Sequence, residues 1–354
     1  MRRARWLAPW KDSAEKPALY HCISRVVDRR FVFGDDEREK FRVFMRMQEN
    51  FSGCRVLSYC VMSNHFHLLL EVPPMAEGGI SDEELLKRLS AIYTEAYAAG
   101  VAGELAEARK AGLVERVEEI HARFSYRMHD LSEFMKTLLQ RFTRWFNRTH
   151  NRSGTLWEER YKSVIVESGI AARTMAAYID LNPVRSGMVK DPADYRWSSY
   201  GEAVGGGTKG NGKKARAGLV RACMSHHGTG FETEKWREVS RIYRRSMGLA
   251  LGRKQGRAEV GSHGVVTKNT AEMLESKDNE TALPDMRLAG MLRHRVRYFT
   301  DGAVIGSKAF VNEAFANARE RFSAGRKDGA RTMRGSGRGA KGLLWSARDL
   351  RVRV

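Results

Sequence analysis

The pattern of apolar and polar positions in the first 75 residues predicts a strand, a helix and a second strand. Residues 19–27 are mainly apolar and predict the first strand. Residues 35–50 place aromatic and methionine side chains among charges, which predicts a helix. Residues 56–72 form an almost continuous apolar run closed by Pro73 and Pro74, and this run predicts one buried strand.

Two helical segments of different character follow. Residues 80–130 are rich in Glu and Ala, and Ser81 opens them with a capping-box pattern, so we predict a helical insertion. Residues 130–148 form a strongly amphipathic helix. Its apolar stripe, which we interpret as core, consists of Phe134, Leu138, Phe142 and Phe146. The basic side chains beside the stripe, which can meet phosphates, are Lys136, Arg141, Arg144 and Arg148.

The second half of the chain differs in composition from the first, and the length is sufficient for two domains. Residues 206–230 are rich in Gly and Lys and are predicted to be a linker. Residues 231–322 are predicted to be a mostly helical region of unknown role. Residues 323–354 are rich in Gly and Arg, which predicts a disordered basic tail.

The charge balance indicates a polyanionic partner. The chain carries 62 Lys and Arg against 42 Asp and Glu, a formal net charge of +20 at pH 7. Nucleic acid is the first candidate, with binding that weakens steeply as salt rises; the alternative is a solubility surface or a basic tail.

The four cysteines show no C-x-x-C pairing, which disfavours a zinc knuckle or a disulfide framework. No apolar stretch reaches the roughly 20 residues of a membrane span, and we expect a cytoplasmic protein.

Two histidines, His65 and His67, stand two positions apart in the apolar run 56–72. Residues i and i+2 of a strand share a face about 6 to 7 Å apart. Both imidazoles can therefore reach one divalent cation, while Phe66 points to the opposite face. Buried polar rings need partners, and a metal is one such partner. For a His-x-His pair alone, histidines bonded to water or a carboxylate are the favoured alternative.

Further motifs, in a fixed order, favour metal binding by the two histidines over this alternative. They are residues 20–25, residues 62–69 around the two histidines, residues 178–189, and residues 195–200. Over residues 15–205 the sequence resembles the HUH single-strand transposases and, within them, the REP-associated tyrosine transposases.

The resemblance implies an α+β fold, a ferredoxin-like α/β plait with a central antiparallel sheet, helices on one face and the two histidines on the central strand. It implies a catalytic domain over residues 1–205 with the helical insertion at about 80–130. It also implies cleavage and rejoining of single-stranded DNA beside palindromic hairpins. In that reaction a tyrosine oxygen attacks the scissile phosphate, giving a 5′-phosphotyrosine and a free 3′-OH. Mg²⁺ or Mn²⁺ held by the histidines orients and polarises the phosphate.

Carried over to this sequence, the third motif makes Tyr178 the nucleophile. Helix residues i and i+4 project from one face, about 6 Å apart along the axis. Tyr178 can therefore meet the phosphate while the Asn182 oxygen joins His65 and His67 as a third metal ligand. The alternative is a core aromatic followed by a helix-end cap. Tyr161 is a rival nucleophile, less favoured because no Asn-Pro pair follows it.

Candidate DNA contacts accompany this site. The cationic side chains that can bind phosphates are Arg25, Arg160, Lys162 and Arg185. Trp157 can stack on an unpaired base, which stabilises by about 1 to 3 kcal/mol, unless it belongs to the core. His21 is not assigned to the metal and is interpreted as structural or DNA-contacting.

The sequence thus predicts a metal-dependent tyrosine transposase. Two alternatives stay open: a domesticated hairpin-DNA-binding protein without catalysis, and an unrelated metallohydrolase or RNA-processing enzyme built on His-x-His. The expected partner is single-stranded or hairpin DNA, which would associate the protein with the nucleoid. No membrane partner is expected and no required protein partner is evident. A monomer and a homodimer are both compatible with the sequence.

Overall fold

The computed structural model describes residues 5–205, 212–224, 235–252, 292, 297–333 and 342–347. The strands in these ranges are β1 (Ala18–Arg25), β2 (Arg55–Val61), β3 (His65–Val72), β4 (Lys162–Val166), β5 (Val304–Gly306), β6 (Arg331–Thr332) and β7 (Trp345–Ala347). The helices are α1 (Asp35–Ser52), α2 (Asp82–Leu89), α3 (Glu95–Lys110), α4 (Val114–Ser125), α5 (Leu131–Thr149), α6 (Ile170–Asp180), α7 (Asn182–Arg185), α8 (Ser199–Gly205), α9 (Lys213–Cys223), α10 (Trp236–Gly252), α11 (Arg297–Asp301) and α12 (Lys308–Ala316).

The sheet confirms the predicted ferredoxin-like plait. Its first four strands lie in the order β2-β3-β1-β4, and each neighbouring pair is antiparallel. Helix α1 connects β1 to β2, and α5 lies between β3 and β4. The two β-α-β halves therefore interleave, and β1 and β3, which carries the histidines, become the central strands of this plait.

The apolar run 56–72 is two strands, so the prediction of a single strand was wrong. A tight turn at residues 62–64 separates β2 from β3, and the Met62 N–H donates to the His65 carbonyl over 2.8 Å. Both strands are buried almost throughout, and the partly exposed Ser63 and Asn64 are the polar residues of the turn between them. The turn brings β2 and β3 together as a hairpin.

One face of the plait is an apolar core under α1 and α5. The Phe66 ring of β3 lies 4.6 Å from the Phe41 ring of α1, and Phe41 lies 5.2 Å from Phe142 of α5, measured between centroids. The predicted stripe of α5 is buried as expected. These rings hold the two helices on the sheet through dispersion and burial of apolar surface.

The opposite face is also covered by helices, which corrects the expectation of helices on one face. Tyr178 of α6 packs against His67. Helix α9 approaches β2 so closely that a Cβ at Gly218 would lie 2.5 Å from the Val56 carbonyl oxygen. Glycine is required there because any larger residue would force the helix away. The histidine face is therefore an interior surface.

The helical insertion has a small core of its own. Helices α2, α3 and α4 enclose apolar side chains together with Phe51 from the end of α1. Ser81 caps α2, accepting a hydrogen bond from the Glu84 N–H over 3.2 Å, as its position in the capping-box pattern predicts. None of the helices in the described ranges is both long and apolar enough to cross a membrane.

The C-terminal region shares the sheet and the core of the first half. Strand β5 runs parallel to β4, and β7 and β6 follow it. The expectation of a disordered tail was wrong for residues 331–332 and 345–347, which form strands too short for composition to reveal. The prediction of a mostly helical region over residues 231–322 is confirmed for α10, α11 and α12 but misses β5. The prediction of a linker over residues 206–230 was wrong for Lys213–Cys223, which form helix α9 and pack on β2. Residues 206–211, 225–230, 334–341 and 348–354 lie outside the described residues.

Candidate functional site

A cleft of about 720 Å³ opens on the histidine face of the sheet, where β1 ends and β3 begins. Its lining includes every predicted site residue except Trp157, namely Arg25, His65, His67, Arg160, Lys162, Tyr178, Asn182 and Arg185. The histidine hairpin follows the first motif by about 40 residues and precedes Tyr178 by more than 100, and the fold brings all three to one place.

The strand register explains why the cations lie beside the histidines. Ile23 pairs with His67 and Arg25 with His65 across β1 and β3. Lys162 of β4 pairs with Ile23 from the other side. Residues paired across strands share a face. Both imidazoles, the guanidinium and the ammonium group therefore project from the same side of the sheet.

Tyr178 lies against the histidine pair in a tightly packed position. Its ring centroid is 6.0 Å from that of His67. Phe299 of α11 stacks on it at 4.5 Å, and the Arg185 guanidinium carbon lies 4.3 Å from the ring centroid. Only 3% of Tyr178 is exposed. The site thus surrounds the predicted nucleophile with an aromatic ring and a cation.

Asn182 begins α7, one turn after Tyr178, and its amide is oriented by the end of α6. Its Nδ2 donates to the carbonyl oxygens of Tyr178 (3.3 Å) and Ile179 (3.2 Å). Because carbonyl oxygens only accept, the amide must turn its nitrogen toward the helix. The Oδ1 atom then points away from these carbonyls, so the side chain can cap the helix and also present an oxygen ligand.

His21 completes a chain of hydrogen bonds that sequence reasoning did not identify. Its Nδ1 lies 2.7 Å from the Phe299 carbonyl oxygen, and its Nε2 lies 3.0 Å from Nδ1 of His67. The carbonyl can only accept, so Nδ1 of His21 carries the proton and a neutral His21 accepts at Nε2. His67 must then donate from Nδ1, which leaves the Nε2 lone pair of His67 for a metal.

Burial keeps these two imidazoles neutral. Desolvation lowers the pKa of His21 to about 4, against the opposing effect of the Phe299 carbonyl. Desolvation also lowers the pKa of His67 well below its ordinary value, and electrostatic interactions with His65, His21 and Arg185 lower it further. A neutral imidazole is the form that binds a metal.

His65 is oriented by its neighbour in the hairpin turn. Its Nδ1 lies 2.7 Å from Oδ1 of Asn64, whose Nδ2 donates to the Arg29 carbonyl over 2.7 Å. The amide orientation is therefore fixed, and His65 donates from Nδ1. Both His65 and His67 then carry their lone pair on Nε2, as two strand residues on one face need in order to share a cation.

The donor set fits a divalent cation that keeps open positions. Two imidazole nitrogens and the Asn182 amide oxygen are the available protein ligands. In the ranges that the structure describes, no cluster of three or more His, Cys, Asp or Glu side chains has a metal-site arrangement. A cation here would therefore have vacant positions for phosphate oxygens and water.

The two aromatic side chains near residue 160 lie in the core. Trp157 packs on the apolar face 5.5 Å from Phe66, and its Nε1 donates to Thr143 Oγ1 over 3.0 Å. The prediction that Trp157 stacks on DNA bases is therefore not supported. Tyr161 lies outside the cleft, with the Arg5 guanidinium 3.5 Å from its ring centroid, and burial raises the pKa of its phenol. The geometry favours Tyr178 over this rival.

A buried carboxylate anchors the tyrosine helix. Asp180 accepts hydrogen bonds from the Tyr243 hydroxyl (2.7 Å) and the Tyr200 N–H (3.0 Å). Burial raises the pKa of Asp180 to about 7. A polar residue within the apolar helix was the sequence feature that could have identified it. Phe299 had no such feature, because α11 carries none of the recognised motifs.

Known proteins resemble parts of this chain. The family model described as "Transposase IS200 like" matches residues 16–104, which include both cleft histidines but neither Tyr178 nor Asn182. The match confirms the resemblance to transposases predicted for this part of the sequence. A solved structure of a REP-associated tyrosine transposase bound to a REP hairpin is also similar, with 13% identity, coverage of 58% of this chain and 85% of that chain, and a TM-score of 0.36. No curated protein matches the chain.

Proposed function

We propose that this protein cleaves and rejoins single-stranded DNA next to palindromic hairpins through a phosphotyrosine on Tyr178. The observation that carries the proposal is the convergence of His65, His67, Asn182 and Tyr178 in one cleft. The family match over residues 16–104 supports the transposase class. Hairpin DNA is the substrate that the resemblance implies.

The covalent step exchanges one phosphodiester for another. The Tyr178 oxygen forms a bond to the scissile phosphorus as the bond from phosphorus to the 3′ oxygen breaks. The phenol loses its proton and the released 3′ oxygen gains one, so the 5′-phosphotyrosine and the free 3′-OH balance the reaction. Arg185, above the tyrosine ring, favours the phenolate. The reverse attack by a 3′-OH rejoins DNA without ATP.

The remaining cleft residues hold the reacting groups. Mg²⁺ or Mn²⁺ held by His65, His67 and Asn182 would supply Lewis-acid polarisation of the scissile phosphate. Arg25 and Lys162 line the cleft beside these ligands. Their charges attract the neighbouring phosphates and fix the strand in register, which is the role of backbone contacts in DNA recognition.

The test replaces each of the two candidate tyrosines with phenylalanine. Hairpins taken from repeated palindromes beside the protein's own gene, labelled at the 3′ end, are incubated with Mn²⁺ and run on a denaturing gel. Wild type and Tyr161→Phe should shift the label into a protein–DNA adduct. Tyr178→Phe should give no adduct, yet bind the hairpin with unchanged affinity. An adduct with Tyr178→Phe would refute the nucleophile assignment.

One observation favours a second candidate, a hairpin-DNA-binding protein without catalysis. Tyr178 is almost fully buried and stacked on Phe299, so access of a phosphate to its hydroxyl is restricted. A pure binder would retard the wild-type band on a native gel without cutting the DNA. A metallohydrolase would instead release cut strands and trap no protein on them.

A further inference from the structure

A second cleft, of about 560 Å³, lies between the helical insertion and the outer surface of α1 and α5. We call it the basic groove, with Lys40, Arg141, Arg144 and Arg148 along α1 and α5 and Tyr93 and Tyr126 on the insertion side. It shares no lining residue with the cleft around His67. Helices α1 and α5 pack on the Phe66 face of the sheet, so the two clefts lie on opposite faces.

The charges of the basic groove are not matched by acids. Six lining residues are Lys or Arg and one, Glu133, is acidic. Glu133 is already paired with Lys136 over 3.0 Å. Within the described part of the chain, no carboxylate makes an ion pair with Arg141, Arg144 or Arg148. Burial lowers the pKa of Arg141, which reflects the cost of holding this cation away from water.

The insertion's other arginines show the opposite arrangement. Arg109 binds Asp82 over 2.9 Å, Arg116 binds Glu119 over 2.8 Å, and Arg123 binds Glu104 over 3.2 Å. These three arginines of the insertion are therefore neutralised by neighbouring acids. The charges of Arg141, Arg144 and Arg148 instead line the groove, where an external anion can reach them.

Aromatic rings lie among these cations. Tyr126 is 63% exposed at the groove wall. Trp145 is partly buried, with the Lys40 ammonium 5.7 Å from its ring centroid, and the Arg141 guanidinium lies 5.2 Å from the centroid of Phe44. Tyr126 and Trp145 retain accessible ring surface near cations, which is the combination that binds unpaired bases and their backbone together, whereas Phe44 is buried.

We propose that the basic groove is a second nucleic-acid site that binds single-stranded DNA. Arg141, Arg144 and Arg148 fall at positions i, i+3 and i+7 of α5, so they form a row about 10 Å long on one helix face. This row binds the phosphates, while Tyr126 and Trp145 stack on the bases. The site goes beyond the proposed cleavage reaction, because it holds a stretch of strand on the face opposite Tyr178.

The test measures the affinity of a fluorescent oligothymidylate by anisotropy over a series of salt concentrations. Arg144→Ala combined with Arg148→Ala, both exposed positions, should raise the dissociation constant about tenfold or more at 0.1 M salt. The slope of the logarithm of affinity against the logarithm of salt should fall by about 1.4, since each lost phosphate contact contributes about 0.7. Tyr126→Ala should weaken binding at least about fivefold.

The matched control removes the same amount of charge from α4 of the insertion. Arg116→Ala combined with Arg123→Ala lies outside the groove and should leave affinity and salt slope close to wild type. Wild-type binding by the Arg144, Arg148 double variant would overturn the proposal. So would equal competition by a blunt hairpin duplex, because the occupant would then be double-stranded.

The outcome is independent of the cleavage proposal. Tyr178→Phe should bind oligothymidylate like wild type, because Tyr178 does not line the groove. Loss of binding in the groove variants without any adduct in wild type would refute the cleavage reaction and retain the groove. An adduct in wild type with unaltered binding by the groove variants would refute the groove site and retain the cleavage reaction.

Discussion

The two faces of the central plait carry different kinds of side chains, although both faces belong to the same strands, β1 and β3. On the face of Phe66 the sheet packs against α1 and α5 through apolar side chains, among them Phe41 and Phe142. On the face of His67 the buried polar groups are linked to one another, from Phe299 through His21 to His67. The period of two along β3 separates these surfaces by a single residue.

The difference shows that the apolar face contributes mainly to stability and the polar face mainly to the chemistry of the site. Side chains on the apolar face can exchange contacts freely as long as volume is conserved. On the polar face His21 and His67 have assigned hydrogen-bond partners, because a buried donor without one costs free energy. A substitution should therefore lower the stability when it falls on the first face and change a chemical property when it falls on the second.

The largest effect is expected from Phe66→Ala. The ring is fully buried among Phe41 and Trp157, so its removal leaves a cavity and should lower the free energy of unfolding by about 3 to 5 kcal/mol. Denaturant unfolding measures the loss. The Mn²⁺ affinity of the folded protein should stay unchanged, and a weaker affinity would show that the two faces are not independent.

A smaller, pH-dependent effect is expected from Asp180→Asn. The ordinary pKa of this carboxyl is 3.8 and burial raises it to about 7. Between pH 4 and pH 7 the folded protein keeps a proton that the unfolded chain releases, so stability falls as pH rises through this window. The asparagine variant should lose this fall, on the order of a few kcal/mol. Identical pH profiles of thermal unfolding would contradict the buried position of the carboxylate.

The smallest effect is expected from His21→Ala, which removes the hydrogen-bond partner of His67. Mn²⁺ affinity, measured by calorimetry without DNA, should weaken about 10- to 100-fold because the His67 ring is no longer held in one tautomer and orientation. His150→Ala is the control. His150 directly follows α5 and contacts Glu37 of α1, so it lies on the other face of the sheet. Equal affinities of the two variants would contradict the role of His21.

Local patterns were sufficient to predict much of this architecture. Strand β1, helices α1 and α5, and the common face of His65 and His67 follow from periodicity, which reports which side of an element is buried. The four-residue spacing of Tyr178 and Asn182 likewise predicts one helix face. These features depend on neighbours in the sequence, so the sequence carries them directly.

Features that depend on distant pairing could not be predicted in this way. His21 and Phe299 are 278 residues apart, and only the closed fold shows that they share a hydrogen bond. The turn between β2 and β3 was missed because strands buried on both faces show no alternation. Trp157 was placed near DNA because cations follow it in sequence, whereas the ring points away from them into the core.

The parallel pairing of β5 with β4 has a consequence for any shortened form of the protein. A fragment ending at residue 205 would leave β4 at the border of the sheet, and the N–H groups of Ile165 and Glu167 would lose their acceptors, the Ala303 and Ile305 carbonyls. Such an edge invites pairing with other chains and aggregation. A single cut between residues 205 and 212 should therefore leave two pieces that stay associated, whereas deleting the second piece should yield insoluble material.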